Sequence, residues 1–270
     1  MSSHFRASRL SNALVGMRQK GRIVLGLENP PPNLNQFWKE PDEAEVACPA
    51  KNGSLTSLFF GNQDRIVDKW LQYFPVYERY LSAYRNTSFK MMEIGVFKGG
   101  SLDMWRDYFG PNAVLYGIDI DPACASLVSQ PNEVRIGSQD DPVFLSRVVG
   151  EMGGVDIVLD DGSHIAHHQR TSFDVLFPML SDGGLYIIED THTSYWWKNW
   201  QGGFRRPGTA IEYAKSMIDE MHHWYHGRRS NIPAGDQISA IHFHDSMIVI
   251  EKQSPVRPIR TQIGGGSAPR

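Results

Sequence analysis

The segment Val155-Asp156-Ile157-Val158-Leu159-Asp160-Asp161-Gly162-Ser163-His164 decides the fold. Its first half is a short apolar run of the kind that fills a strand buried on both faces, and it turns acidic directly after Leu159. Gly184-Leu185-Tyr186-Ile187-Ile188-Glu189-Asp190-Thr191-His192 repeats the pattern. Strands of this type belong to parallel α/β sheets, which bind ligands at the carboxyl ends of their strands. The carboxylates that follow the two runs therefore converge on one crevice. Crowded carboxylates repel one another unless a cation joins them. An all-oxygen set suits a hard ion such as Mg²⁺, which keeps several waters and so leaves places for substrate oxygens.

The stretch Lys90-Met91-Met92-Glu93-Ile94-Gly95-Val96-Phe97-Lys98-Gly99-Gly100-Ser101 reads as a strand, a glycine turn and a helix start, with Ser101 as its cap and Leu102, Trp105 and Phe109 on one face. Its spacing, G-x-x-x-G-G, is not the G-x-G-x-x-G of dinucleotide sites. An acid at the strand end, Glu93, would repel a phosphate and favours a cationic ligand. The next strand, Val114-Leu115-Tyr116-Gly117-Ile118-Asp119, ends in an acid near the spacing at which a carboxylate takes the ribose hydroxyls of an adenosine. Gly137-Ser138-Gln139-Asp140-Asp141, after Val134-Arg135-Ile136, supplies a third polar loop suited to an adenine edge.

These strand-end acids in this order resemble the cofactor pattern of class I S-adenosylmethionine-dependent methyltransferases. The D-D-G-S-H and E-D-T-H-T-S-Y-W segments, with the ending His242-Phe243-His244-Asp245-Ser246-Met247-Ile248-Val249-Ile250-Glu251-Lys252, resemble more narrowly the metal-dependent sugar O-methyltransferases of macrolide biosynthesis and the related cephalosporin-hydroxylase-type group. The resemblance implies a Rossmann-like doubly wound α/β domain with a seven-stranded sheet, S-adenosyl-L-methionine and Mg²⁺ as cofactors, and a sugar or glycoside as substrate. It implies cofactor contacts from Glu93, Gly95, Lys98, Ser101, Asp119, Gln139, Asp140 and Asp160, and metal ligation by Asp161, Glu189 and Asp190. Helix capping or cofactor contact is the alternative role for Asp161, Glu189 and Asp190, and Asp160 either caps in this way or faces the methionine end of the cofactor.

His164 follows Asp161 by three residues, and histidine is the side chain whose ordinary pKa lies near neutrality, so it is the candidate general base. A sugar hydroxyl is too weak an acid for a base alone, and coordination to a cation would lower its pKa. His192 is the rival base, and His167 or His168 would orient the loop. The spacing of His164 and His168, with His192 as third ligand, also allows a zinc site, although no H-E-x-x-H pattern accompanies it. Ser194 to Arg206 is dense in aromatic rings and holds the pair Gly202-Gly203; it suits either a loop closing on a sugar or a packed surface segment.

The chain's 270 residues, 41% of them hydrophobic, suffice for one buried α/β domain. A net charge of −3 without long basic runs argues against nucleic acid as a partner. The two cysteines, Cys48 and Cys124, form no disulfide scaffold or C-x-x-C, which points to the cytoplasm, and no apolar run approaches a membrane span. The chain divides into an N-terminal helical and extended cap over 1–54, a methyltransferase domain over 55–253 and a Gly/Ser/Pro-rich flexible tail over 254–270, and a homo-oligomer is expected. Residues 1–27 carry five Lys or Arg and no acid, and read as a helix packed on the domain or a partner subunit, with a targeting element as the alternative. After Pro30-Pro31-Pro32, residues 33–53 show little periodicity and wrap the surface. Residues 64–84 carry apolar residues at helical intervals and predict one helix before the first strand. A phenolic diol as acceptor, or a cofactor-binding accessory subunit without turnover, are the rival functions.

Overall fold

A computed structural model describes residues 31–48, 54–128 and 130–264. Seven strands, β1 (Lys90–Ile94), β2 (Val114–Asp119), β3 (Glu133–Ile136), β4 (Val155–Asp160), β5 (Leu180–Ile188), β6 (Ile238–His244) and β7 (Met247–Lys252), form one sheet in the order β3-β2-β1-β4-β5-β7-β6. The first five pair in parallel, while β7 is antiparallel to both β5 and β6. This is the doubly wound seven-stranded sheet expected for a class I methyltransferase, closed by the antiparallel hairpin of β6 and β7. The strand order reverses between β1 and β4, and in open α/β sheets such a switch point is where ligands bind.

Alternation along the buried strands sends successive side chains to opposite faces. Met91, Ile157, Leu159 and Ile187 face one core, which also holds Leu55 of α2 (Ser54–Phe60), Phe74 and Tyr77 of α3 (Phe74–Leu81), and Trp105 and Phe109 of α4 (Gly100–Phe109). Met92, Val158, Tyr186 and Ile188 face the other, under α5 (Pro142–Met152), α6 (Ala166–Leu176) and α7 (Ala210–Met221). The sheet is thus covered on both sides, which is why its strands read as continuous apolar runs.

Three local expectations need correction. The helix predicted over 64–84 begins only at Phe74, after a 3-10 turn at Leu71–Tyr73. Pro75 in its first turn needs no hydrogen-bonded amide and sets that start, and the apparent periodicity of Ile66 and Trp70 comes from irregular chain in which Ile66 is exposed. Of the stretch 33–53, the described residues 33–48 are mostly exposed, and they include a 3-10 turn at Leu34–Phe37 and α1 (Pro41–Ala47), which opens on a proline. Ser101 is not a cap: Gly99, at φ 82°, holds the N-cap of α4, and the Ser101 hydroxyl turns back to Glu93. The basic segment 1–27 and the last residues of the tail, 265–270, lie outside the described residues.

Candidate functional site

Strand register assembles the crevice. Ile94 pairs with Asp160 and Asp160 with Ile188, so the residues just beyond, Gly95, Asp161 and Glu189, lie side by side at the carboxyl ends of β1, β4 and β5. The Asp161 amide donates to the Ile94 carbonyl at 3.0 Å and the Glu189 amide to the Asp160 carbonyl at 3.0 Å, so the acids depart from fixed points. Gly95 sits at φ 96°, and a Cβ there would strike the Asp161 carbonyl, so only glycine lets the two strand ends approach this closely.

Asp161, His164 and Asp190 each present a ligating atom, all within 4.8 Å of one another. His164 Nε2 stands 3.5 Å from Asp190 Oδ2 and 3.9 Å from Asp161 Oδ1. Both His164 and Asp190 adopt left-handed backbone, at φ 55° and 52°, a conformation that costs non-glycine residues energy and recurs at functional sites. His164 Nδ1 is buried and has no hydrogen-bond partner among the described residues. A buried unpaired polar atom costs about 1–3 kcal/mol and calls for an explanation such as a bound group.

Three residues that pattern reading did not single out complete the site. Lys69 lies with its ammonium between Asp161 and Glu189, 2.9 Å from Glu189 Oε2, and is itself buried. Tyr77 donates to Glu189 Oε1, and the Tyr73 hydroxyl lies 2.6 Å from Asp190 Oδ1 and 2.8 Å from Ser246 Oγ at the β6–β7 turn. Glu189 is therefore not grouped directly with His164 and Asp190; it joins them through Lys69. Burial pushes the Glu189 carboxyl well above its ordinary pKa, reinforced by Asp161, while Lys69 and Tyr77 oppose the shift. Burial works against the charge of Lys69, yet Asp161 and Glu189 hold its pKa above the usual lysine value. Lys69 thus stands as an internal cation among acids that need one. Lys69→Met in protein without added metal should cost about 3–5 kcal/mol, because it leaves buried carboxylates unpaired. Urea unfolding measures this, and a loss within ~0.5 kcal/mol, as for a neutral surface substitution, would contradict the pairing.

The expected cofactor residues divide. Asp119 closes the first βα turn, accepting from the Val96 and Phe97 amides at 2.9 and 3.1 Å and from the Asp121 amide at 2.9 Å. Burial opposes its charge, but these three amides hold its pKa below the ordinary value. Glu93 is fully buried, accepting from Ser101 Oγ at 2.8 Å and Trp105 Nε1 at 3.1 Å. Gln139 and Asp160, two of the expected cofactor contacts, are braced by hydrogen bonds behind the strand ends. Asp160 is fully buried and takes hydrogen bonds from Ser172 at 2.7 Å, Tyr186 at 3.1 Å and Gln139 at 3.1 Å, while Gln139 Oε1 accepts from the Ser163 amide at 2.7 Å. Burying a carboxylate demands such a set of donors, and these three occupy most of its roughly four acceptor sites. Lys98 is exposed with its ammonium 5.1 Å from its neighbour's ring, Phe97, and joins no acid of the site. Asp141 is a helix cap, accepting from the Val143 and Phe144 amides.

Burial raises the Glu93 carboxyl to about 7, so the folded protein holds a proton there that the unfolded chain releases near the ordinary glutamate value of 4.5. Stability should accordingly fall as pH rises through that window, because the native state binds the extra proton. Glu93→Gln should flatten this slope; an unchanged slope in urea titrations across the window would contradict the assignment.

The three-histidine zinc arrangement does not form. His192 is held by Ser246, 2.5 Å from Nδ1, between the rings of Trp70 and Trp196, whereas His168 turns to Ser163 and Asp140. Burial lowers the His192 pKa. The aromatic loop is partly packed: Trp196 is buried against Trp200, and a Cβ on Gly202 would meet the Trp196 carbonyl, while Tyr195 and Phe204 stay exposed.

Residues 92–191 match a family model described as "Methyltransferase domain". The L-olivosyl-oleandolide 3-O-methyltransferase of Streptomyces antibioticus is 42% identical over 188 residues, covering 64% of this chain and 47% of the relative. The mycinamicin VI 2''-O-methyltransferase of Micromonospora griseorubida is 39% identical over 196 residues, covering 66% and 47%. The solved structure of the MycE methyltransferase from the mycinamycin pathway, in complex with Mg, S-adenosylhomocysteine and mycinamycin VI, superposes with a TM-score of 0.63 at 36% identity, covering 74% of this chain and 52% of that one. The chain spans about half the length of the curated relatives it matches. On the sheet order, the strand-end acids and these matches, the chain has the class I methyltransferase fold, carries a methyltransferase domain over residues 92–191 and is similar in sequence to macrolide sugar O-methyltransferases.

Proposed function

We propose that this chain is an S-adenosylmethionine- and Mg²⁺-dependent O-methyltransferase acting on a hydroxyl of a sugar carried by a glycosylated metabolite. The observation that carries the reading is the meeting of Asp161, His164 and Asp190 beyond β4 and β5, with the buried Glu189 alongside. The donor set fits a hard divalent ion: carboxylate oxygens dominate, and the Lys69 ammonium already stands among them as a positive charge. Asp161, Glu189 and Asp190 would hold the ion, whose chemistry there is to acidify a bound hydroxyl. The cofactor, which carries the reactive methyl, would lie along Glu93, Gly95 and Asp119, with the Asp140 loop at its adenine end.

The protein's own work is positional. Tyr73, fixed by Ser246, holds Asp190, and Tyr77 holds Glu189, so the acids keep their geometry without solvent. His164 Nε2 faces these carboxylates and accepts the hydroxyl proton, and Asp190 at 3.5 Å stabilises the imidazolium that results. Holding base, hydroxyl and methyl donor in line supplies much of the rate gain. Residues 55–253 are the catalytic unit. The two free, buried cysteines fit a reducing compartment. A screen of deoxysugar glycosides, free sugars and catechols with methyl-labelled cofactor tests the reading: label should enter glycosides as an O-methyl ether, and labelling of catechols alone would transfer the function to phenolic diols.

A further inference from the structure

A second constellation joins the Asp140 loop to the first turn of α6, and its two histidines take no part in the reaction above. Asp140 Oδ2 stands 3.3 Å from His168 Nε2 and 3.6 Å from His167 Nε2, and the three ligating atoms lie within 4.8 Å of one another. Ligands of a tetrahedral zinc ion, at about 2.0–2.2 Å from the metal, stand about 3.3–3.6 Å from each other, the separation that Asp140 keeps from both imidazoles.

The outer contacts prepare the same three atoms. His167 Nδ1 lies 3.1 Å from Gln201 Oε1, an acceptor, so Nδ1 carries the proton and Nε2 presents its lone pair. His168 Nδ1 lies 2.8 Å from Ser163 Oγ, and Asp140 accepts from Ser138 Oγ at 2.5 Å through its other oxygen. Metal-binding imidazoles characteristically donate their second N–H to such a partner, which fixes ring and tautomer. Two nitrogens and one oxygen select a borderline ion such as zinc over Mg²⁺, and the exposed His167 leaves a fourth position open to water.

We propose that Asp140, His167 and His168 form a zinc site, separate from the Asp161 centre, at which the ion competes with the cofactor for the Asp140 loop. The competition rests on reading that loop as the adenine edge of the cofactor site; the metal site itself does not. Zinc there draws Asp140 onto the first turn of α6 and closes the space beside the loop, so ion and adenine exclude each other.

The test is calorimetric titration of the full chain with ZnCl₂ in excess MgCl₂, repeated with His167→Ala, with His164→Ala and with saturating S-adenosylhomocysteine. His167 is exposed at a helix start, so its alanine variant keeps the fold, which circular dichroism checks. Zinc should bind the wild type and His164→Ala alike, weaken at least about tenfold in His167→Ala, and weaken when S-adenosylhomocysteine is bound. Equal zinc affinity in wild type and His167→Ala overturns the site. Zinc affinity indifferent to bound S-adenosylhomocysteine overturns the competition. Failure of S-adenosylhomocysteine to bind at all strikes the proposed function instead, and the comparison of the two variants still decides the zinc site.

Discussion

His164→Ala is expected to lower methyl transfer roughly 10²–10⁴-fold, the range for loss of a positioned general base, while cofactor binding stays near that of the wild type. The expectation follows from the imidazole standing 3.5 Å from Asp190 on a strained backbone, with its second nitrogen buried and, among the described residues, without a hydrogen-bond partner. Its backbone carbonyl takes a hydrogen bond from Thr193 Oγ1 at 3.2 Å, which survives side-chain truncation, so the loop should keep its course. Single-turnover kinetics with pre-bound labelled cofactor measures the chemical step apart from binding. If turnover instead recovers at high Mg²⁺, His164 serves as a metal ligand, and the base role passes to His192 or solvent.

Asp161→Asn should be comparably severe by a different route. The substitution keeps the shape of the side chain but removes one negative charge from the cluster that Lys69 joins, so affinity for a divalent ion drops with it. A bound ion contributes several kcal/mol of charge stabilisation, and at about 1.4 kcal/mol per tenfold the variant should lose on the order of 10²-fold or more in kcat/KM. Raising Mg²⁺ should restore part of that loss, because the defect is in occupancy. A wild-type rate at low Mg²⁺ would remove Asp161 from the metal site.

Much of this architecture was legible in the sequence because the informative residues sit at strand ends. Apolar runs that turn acidic at Asp160 and at Glu189 mark both the strands and the crevice, and the register of β1, β4 and β5 follows from their burial. Lys69, Tyr73 and Tyr77 were hidden for a physical reason. They come from a segment before the sheet, their site partners lie 92 to 173 positions away, and only tertiary packing makes these contacts. The aromatic spacing of 64–84 pointed to packing alone, yet two of its tyrosines spend their hydroxyls on site carboxylates. A strand-end polar residue such as Gln139 or Asp160 reads the same in the sequence whether it faces a ligand or braces the strand behind it. The signal that could have helped is Ser172, six residues into α6, on the turn that covers the end of β4.

The most direct measurement is the rate of transfer of a labelled methyl group from S-adenosylmethionine to a deoxysugar glycoside, read in excess Mg²⁺ and again in excess EDTA on protein from which metal has been removed. Lys69 and Tyr77 keep the acids paired without the ion, so the chelated protein should remain folded, lose its activity and regain it on adding Mg²⁺ without refolding. Full transfer in EDTA after verified metal removal, or no transfer to any glycoside in Mg²⁺, would contradict the account.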